Sequence, residues 1–337
     1  MIQSLTAPAS ASAPAPAPAS APFAVRETCV ALGVSESGYY AHRRKAERPR
    51  RQQDRVIIHE MKEVFEQSYG CYGSPRLVRG LRQRGLRQRG LRCGKTRIRR
   101  LMQEYGLYPK QKRRVRPRTT QSNRYLPCAP NLMAVLPPAN APRQRFHSDI
   151  TYIPTQEGFL YLAATVDAFS RRCAGWCARD NMETQLVKDA ACMAFASASA
   201  SASASASASA SASASASASA SASASERVHH SDRGSQYASE SFRLLLAKEE
   251  ITQSMSRKGN CYDNALSESF WATVKTECFD NFRVAIPQTR AQAMTALFGY
   301  IELFYNRERL HSALDYRSPV QFEKDWTMQN FTDNVST

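Results

Sequence analysis

The sequence predicts an α/β fold, a mixed sheet flanked by helices, preceded by a basic helical region. From Phe146 onward, β-rich runs on either side of Gly158 and a third run after Arg172 predict an antiparallel meander, and alternating helical and strand patterns follow. The charge is uneven: residues 1–125 hold 27 Lys and Arg against 8 Asp and Glu, although the whole chain carries +17. A half this basic indicates a surface for phosphate groups.

Length and composition exclude several classes of protein. The chain has 337 residues, of which 42% are hydrophobic, and this is enough for one sizeable core with smaller units beside it. No apolar run approaches the roughly 20 residues of a membrane span, and no secretory signal opens the chain. We expect a soluble cytoplasmic protein with no membrane partner. Its nine scattered cysteines are interpreted as reduced thiols, with a zinc site as the alternative.

The first helical pair is predicted just after an Ala, Pro and Ser tail at residues 1–22, which we expect to be disordered. Residues 23–44 show two short helices joined at Gly33, with Ser35 as N-cap of the second. Their size fits a helix-turn-helix, and a simple packing hairpin is the alternative. The second helix presents the residues expected to contact DNA: Ser37, Tyr40, Arg43 and Arg44.

A tandem GLRQR repeat interrupts the helical region that extends to residue 109. The repeat occupies residues 80–89, and its added glycines predict a broken helix near Gly85 or Gly90. A second basic recognition helix is predicted from Lys95 to Tyr105, with Arg97 and Arg100 toward DNA. Residues 110–142 then form a basic linker, because their prolines and lack of periodicity argue against a packed element.

Strict Ala-Ser alternation fills residues 196–225. No side chain in this tract is larger than a hydroxymethyl group, so the tract can neither pack a core nor fix a strand register. Helix, strand and coil are all sterically open to it. We expect an irregular, exposed loop, because a structureless insertion is tolerated best outside the core.

Three acidic residues, Asp149, Asp232 and Glu268, are the candidate catalytic and metal-binding groups. Asp149 lies on the first predicted strand, Asp232 ends a neighbouring strand, and Glu268 follows it after 35 residues on a helix capped by Asn264. Such carboxylates suit Mg²⁺, with Mn²⁺ as a substitute, and two ions can support an in-line phosphoryl displacement. This chemistry indicates cutting and joining of DNA.

Other residues near these acids have competing interpretations. Asp167 is the best rival to the three acids, although the meander places it at a turn away from the strand ends. Asp263 is expected to organise the loop before the helix of Glu268. His147, His229 and His230 flank the aspartates and are interpreted as supporting or strand residues, with direct metal contact as the alternative.

The chain resembles insertion-sequence transposases of the retroviral-integrase-like superfamily, in the branch whose second reading frame encodes the catalytic protein. The resemblance runs from about Phe23 to Asp325, with the Ala-Ser tract as a break. It rests on VSESGYY, YGSPR, HSDITYIPT, YLAATVDAFSRRCAGW, HHSDRGSQYAS, QSMSRKGNCYDNALSESFWATVKTE and YNRERLHSALDYRSP. It implies an RNase H-like core at residues 143–326, followed by a tail at 327–337. In that core an Asp-Asp-Glu triad falls on Asp149, Asp232 and Glu268.

The resemblance also implies contacts and a reaction. Lys275, seven residues after Glu268, matches a basic residue placed against substrate DNA. Further expected DNA contacts are Arg233 and Lys258, while Asn306, Arg309 and His311 brace the site or touch DNA. The implied reaction hydrolyses a phosphodiester at an element end, exposing a 3′-OH that attacks a second phosphodiester; in this branch a circular form is implied. The enzyme is expected to act as a homo-multimer at the nucleoid.

Alternative functions remain open at this stage. The expanded repeats suggest a weakened or decayed enzyme, and the basic half alone would suit a non-catalytic DNA-binding regulator. A structure-specific nuclease with the same fold would cut DNA without joining it.

Overall fold

The computed structural model describes residues 25–44, 49–110, 128–209, 227–257, 261–280 and 286–335. The chain divides into two compact units, residues 1–59 and residues 60–337. The helices are α1 (Val25–Ala31), α2 (Glu36–Arg44), α3 (Pro49–Gln67), α4 (Ser74–Gln83), α5 (Lys95–Glu104), α6 (Thr184–Ser209), α7 (Ser235–Ala238), α8 (Glu240–Lys248), α9 (Ala265–Glu277), α10 (Arg290–Phe298) and α11 (Pro319–Val335). The strands are β1 (Arg145–Thr155), β2 (Gly158–Asp167), β3 (Cys173–Arg179), β4 (Arg227–Ser231) and β5 (Ile251–Met255).

Helices α1 and α2 of the first unit follow the sequence pattern. Gly33 joins them with φ of 63°, a left-handed conformation that glycine adopts without steric cost. The Ser35 hydroxyl accepts a hydrogen bond from the Gly38 amide at 3.1 Å, so Ser35 caps α2 as predicted. The two short helices therefore form where the sequence indicates them.

Helices α4 and α5 of the second unit bury one apolar side each. Leu77 and Leu81 of α4 and Ile98 and Leu101 of α5 are buried, and the two helices pack against each other. Helix α4 ends at Gln83, and both Gly85 and Gly90 have φ of 75°. The predicted break in the helix is therefore present, and both glycines take part in it.

The sheet is mixed, in the order β3-β2-β1-β4-β5. Strands β1, β2 and β3 form the predicted antiparallel meander, with Thr155 opposite Gly158 at the first turn. Strand β4 runs parallel to β1, and β5 runs parallel to β4. A meander extended by two parallel strands, with helices packed against it, is the RNase H-like arrangement that the sequence predicts.

Helix α6 covers one face of the sheet closely. Its residues Leu186, Ala190 and Ala194 are fully buried in the main core. A Cβ atom at Gly175 of β3 would overlap the backbone of Ala190 and Ala194, so only glycine allows this approach. Gly175 therefore determines how closely α6 packs against the sheet.

The Ala-Ser tract differs from the prediction of an irregular loop. Helix α6 continues without interruption through Ser209, so residues 196–209 are helical; the rest of the tract lies outside the described residues. The physical reason is local: alanine has the highest helix propensity, serine costs only a few tenths of a kcal/mol, and nothing in the tract breaks a helix already nucleated by residues 184–195. The prediction was wrong for this part of the tract.

The C-terminal segment after α9 is mostly helical. Helix α10 continues as a π-helical stretch, Gly299–Tyr305, so this helical segment changes geometry at Gly299. Helix α11 runs to Val335, so most of the expected tail is helical. In the described residues, no helix has both the length and the apolarity needed to span a membrane.

Candidate active site

Asp149 and Asp232 lie side by side at one position of the sheet. In the parallel pair, Phe146 of β1 is opposite His229 of β4, and each aspartate follows its paired residue by three positions. Asp149 is half-buried within β1, and Asp232 is the first residue after β4. The strand pairing therefore brings together two acids that are far apart in the sequence.

The charges of the other two predicted acids act on Asp149. Burial raises the pKa of its carboxyl to about 8, and the charge of Asp232 adds to this, with a smaller contribution from Glu268. Lys275 opposes the shift. Because like charges disfavour ionisation only over short distances, Asp149, Asp232 and Glu268 share one electrostatic environment.

The loop after β4 holds Asp232 in place. Its Oδ1 accepts a hydrogen bond from the Gly234 amide at 2.9 Å, and a Cβ at Gly234 would lie 3.0 Å from the same oxygen. The Nε atom of the neighbouring Arg233 donates a hydrogen bond to the Ser256 carbonyl at 2.7 Å. A glycine at this position lets the backbone approach the carboxylate closely.

Helix α9 presents Glu268 and Lys275 along its length. Glu268 is exposed in the first turn, and partial burial raises its pKa. Lys275 is half-buried, with Nζ 5.2 Å from the centre of the Tyr152 ring. Burial lowers the Lys275 pKa, while the charge of Asp149 acts in the opposite direction. The charges of Lys275 and Asp149 therefore act on each other.

Asn264 occupies the N-cap position of α9 as predicted, although its side chain makes no capping hydrogen bond.

The histidines beside the aspartates are core residues. His229 bonds Ser148 Oγ at 2.7 Å, and His230 bonds Ser254 Oγ at 2.8 Å. Burial lowers the pKa of His147 and His229 to about 3 and that of His230 to about 4, so all three rings are neutral. The hydrogen bonds of His229 and His230 favour the supporting role over metal contact. Within the described part of the chain, no three His, Cys, Asp or Glu side chains are grouped to hold a metal ion as they stand.

Asp167 and Asp263 stabilise loops. Asp167 is buried and accepts hydrogen bonds from the amides of Phe169 and Arg143, both at 2.8 Å. Asp263 pairs with Arg257 at 3.0 Å and also accepts from the Arg257 amide. Burial raises the pKa of Asp167 to about 6, and its two backbone hydrogen bonds favour a structural role over the rival catalytic one. Asp263 organises its loop as predicted.

Comparisons with known proteins agree with this geometry. Two family models described as integrase core domain match residues 139–261 and 249–319, and an HTH-like domain matches residues 51–115. A 31 kDa protein of insertion element IS600 from Shigella sonnei is 37% identical over 88% of this chain and 98% of its own length. The transposase for insertion sequence element IS904 from Lactococcus lactis is 37% identical over 82% of this chain and 98% of its own length.

The chain belongs to the insertion-sequence transposase family. It is accordingly a DDE-type polynucleotidyl transferase that acts on DNA. Transposase InsF of IS3A from Escherichia coli K12 is 33% identical over 90% of this chain and 95% of its own length. Among solved structures, the HTLV-2 integrase catalytic core domain in complex with magnesium covers 55% of this chain and 99% of its own, at 13% identity and a TM-score of 0.34.

The predicted DNA contacts of the N-terminal half are distributed over several helices. Ser37 and Tyr40 are exposed on α2. Arg97 and Arg100 lie on α5, where Arg100 pairs with Glu104 at 2.6 Å. Arg43 and Arg44 end α2 with side chains outside the described set, and Lys258 also lies outside it. The HTH-like match at residues 51–115 includes α4 and α5 and does not include α2.

Asn306 and Arg309 brace the protein interior. Asn306 is buried and bonds both the amide and the carbonyl of Cys173, at 3.0 and 3.1 Å. Arg309 is buried and forms a bidentate pair with Glu277 at 2.6 and 2.7 Å, and His311 lies beside it at 3.3 Å. Burial therefore favours the bracing alternative for Asn306 and Arg309 and leaves neither side chain available to DNA. His311 is half-buried, and its contacts are compatible with both of the predicted roles.

Sequence reasoning missed Tyr237, which lies five residues after Asp232. Its ring is buried against His229 and Phe242, and its hydroxyl has no hydrogen-bond partner among the described residues. Burial raises its pKa well above the usual value, and the charges of Asp149 and Asp232 add to the shift. The available signal was a single tyrosine in a tight loop directly after the acid, which is too common to identify a site.

Proposed function

We propose that Asp149, Asp232 and Glu268 are the catalytic carboxylates of Mg²⁺-dependent strand cleavage and strand transfer at the ends of an insertion element. The observation that carries this is the parallel pairing of β1 and β4, which places Asp149 and Asp232 three residues beyond the opposed residues Phe146 and His229. Burial and the charges of Asp232 and Glu268 also raise the pKa of Asp149. Perturbed carboxyl groups that meet at a strand edge favour catalysis over packing.

The donor set fits a hard divalent cation. Asp149 and Asp232 supply carboxylate oxygens that repel each other, and a cation between them removes that repulsion. We assign these two as the ligands of one ion and Glu268, which is exposed in the first turn of α9, to a second. Mg²⁺, or Mn²⁺ in its place, would supply charge neutralisation for phosphoryl transfer when bound.

The remaining groups of the site position and shield the substrate. Lys275 offers a positive charge on the same helix as Glu268, suited to a DNA phosphate. The Tyr237 hydroxyl has an unused proton that it can donate to Asp149 or Asp232. Buried His229 and its neighbours exclude water behind the carboxylates. These residues hold charge in a fixed arrangement, which is the main contribution a protein makes to phosphoryl transfer.

The reaction conserves phosphodiester bonds in its second step. Water first attacks a phosphodiester at the element end, and the broken P–O bond leaves a 3′-OH. That hydroxyl then attacks a second phosphodiester, so one P–O bond forms as another breaks. No covalent intermediate with the protein is needed, and a homo-multimer acting in the cytoplasm on nucleoid DNA would hold both ends together.

The domain assignment is part of this proposal. Residues 23–109 bind DNA, residues 110–142 link, and residues 143–326 carry catalysis. The HTH-like match at 51–115 and the integrase core matches at 139–261 and 249–319 support this division.

The test uses the purified full chain, Mg²⁺ and a duplex carrying the flanking element end. Asp232→Asn should abolish both cleavage and joining while DNA binding is retained. Asp180→Asn, an exposed acid outside the site, is the matched control and should behave as the parent. Strand transfer by the Asp232→Asn protein would overturn the proposal. Cleavage without a joined product would identify a nuclease, and binding with neither activity would identify a regulator.

The Ala-Ser tract supplies a second comparison. We infer that the expanded repeat weakens the enzyme, because it lengthens the connection between α6 and β4, the strand before Asp232. A version with the tract cut to about a dozen residues, the usual upper range for structureless loops, should be faster. Equal cleavage rates would dismiss the inference without affecting the assignment of the acids.

A further inference from the structure

The two copies of the GLRQR repeat form the same turn twice. In the first copy the Gly85 amide donates to the Arg82 carbonyl at 3.0 Å, and in the second the Gly90 amide donates to the Arg87 carbonyl at 3.1 Å. The leucines repeat a second bond, Leu86 to Leu81 and Leu91 to Leu86, at 3.4 and 3.0 Å. These are the bonds of a helix end closed by a left-handed glycine. The duplication therefore adds a complete turn with its own hydrogen bonds.

The repeated turn separates the two arginines of each copy. Those at the fifth position point to α3: Arg84 pairs with Glu63 at 2.6 Å and with Glu60 at 3.2 Å, and Arg89 pairs with Glu60 at 2.8 Å. Each copy is thus tied to the same acidic side of α3. Within the described residues, the arginine at the third position of each copy forms no such pair.

Arg82 and Arg87, the third-position arginines of the two copies, share one cleft with Arg92, which follows the next Gly-Leu pair directly after the repeat. All three are exposed, and within the described residues their guanidinium groups form no ion pair. The cleft measures about 570 Å³, and Leu86 and Leu91 contribute its apolar part. No acidic residue lines it among the described residues. Three unpaired cations around one opening create a strong local preference for anions.

The first turn of α5 adds to this preference. Gly94 lines the cleft and is the N-cap of α5, a helix of ten residues. The amide groups at such an end have no partners within the helix and carry a partial positive charge. Helix α5 also belongs to the region that matches an HTH-like domain. Arginines and helix amides together are the groups that bind phosphate oxygens.

We propose that Arg82, Arg87, Arg92 and the start of α5 form a binding cleft for the DNA phosphate backbone, and that the second GLRQR copy extends it by one contact, Arg87. The inference rests on DNA being the substrate, as in the proposed function. DNA is favoured over a small anion because the arginines recur at a fixed interval along the chain. A repeated spacing of cations suits a polymer with repeated charges.

The experiment measures DNA affinity of the full chain as a function of salt, using a short duplex of arbitrary sequence. Each phosphate contact contributes about 0.9 to the slope of log K against log salt concentration. Arg87→Ala should reduce the slope by about this amount. Arg89→Ala is the matched control, because it removes the same charge from the same repeat but loses only its pair with Glu60. Its slope should equal that of the parent.

A deletion of residues 85–89 provides the second variant. It removes one copy and joins Arg84 to Gly90 with the repeat sequence intact, so the remaining turn can close as before. Its slope should match that of Arg87→Ala, and a melting temperature near the parent's would show that it folds. A parent-like slope for both Arg87→Ala and the deletion, or an equal change in Arg89→Ala, overturns the inference.

These outcomes are separate from those of the catalytic proposal. If Arg87→Ala reduces the slope but the parent protein neither cuts nor joins DNA, the binding cleft is supported and the proposed catalytic function is rejected. If Asp232→Asn loses joining but Arg87→Ala keeps the parent's slope, the catalytic function is supported and the binding cleft is rejected.

Discussion

Replacing Asp149 by Asn should stabilise the metal-free protein while abolishing catalysis. The carboxyl has a pKa of about 8 in the folded protein against 3.8 as its ordinary value. Between these values the folded state holds a proton that the unfolded chain has released. The free energy of unfolding therefore falls by about 1.4 kcal/mol for each unit that the pH rises. Between pH 3.8 and pH 7 the free energy of unfolding falls by about 4 kcal/mol in total, which is an upper limit because Asp149 is only half-buried.

Asparagine does not titrate, so Asp149→Asn should lack this component of the pH dependence. In EDTA, denaturant unfolding from pH 5 to pH 8 should show a stability difference between the variant and the parent that widens as the pH rises. Added Mg²⁺ should narrow the difference, because a cation that binds the ionised carboxylate stabilises only the parent at this position.

The shape of the two curves decides the outcome. Asp180→Asn serves as the control for a lost surface charge, and its curve should run parallel to the parent's. If the Asp149→Asn curve is also parallel from pH 5 to pH 8, then the carboxyl is ionised in the folded protein. The burial and charge repulsion assigned to the site would then be refuted.

Three further changes test other parts of the structure. Glu277→Ala leaves Arg309 buried without its partner and should cost about 3–5 kcal/mol in denaturant unfolding, whereas exchanging both for apolar residues should recover most of this. Gly175→Ala should force α6 away from the sheet at Ala190 and lower the melting temperature, and a parent-like melt would contradict the close packing. Tyr237→Phe removes an unpartnered buried hydroxyl, so stability should hold or rise while strand transfer at limiting Mg²⁺ slows; an unchanged rate would limit this residue to packing.

The antiparallel meander could be predicted because its signals are local. Alternating apolar residues around Gly158 indicate a hairpin, and a hairpin pairs its strands in only a few registers. The placement of β4 beside β1 required more, namely the resemblance, since no local pattern states which strands pair in parallel. Once that pairing exists, Asp149 and Asp232 must meet.

The sequence left two roles open for polar side chains that the structure buries. Asn306 and Arg309 belong to a motif rich in charge, and bracing the site and contacting DNA are both natural interpretations of such a sequence. Their burial depends on partners elsewhere in the chain, Cys173 and Glu277, which no periodicity reveals. Arg309 is the clearest case, because burying its charge is favourable only once Glu277 is in place.

Both sequence expansions lie where local hydrogen bonding can absorb them. The GLRQR copy repeats a turn that its own glycine closes, and the first part of the Ala-Ser tract extends a helix that already exists. Strand β4 is held by β1 and β5 on its two sides, so the position of Asp232 depends on strand pairing more than on the connection before it. Loop-closure cost grows only with the logarithm of length, about 0.6 kcal/mol per doubling. The tract should therefore lower the stability of β4 modestly, and any large loss of activity would have to arise from its effect on DNA or on assembly.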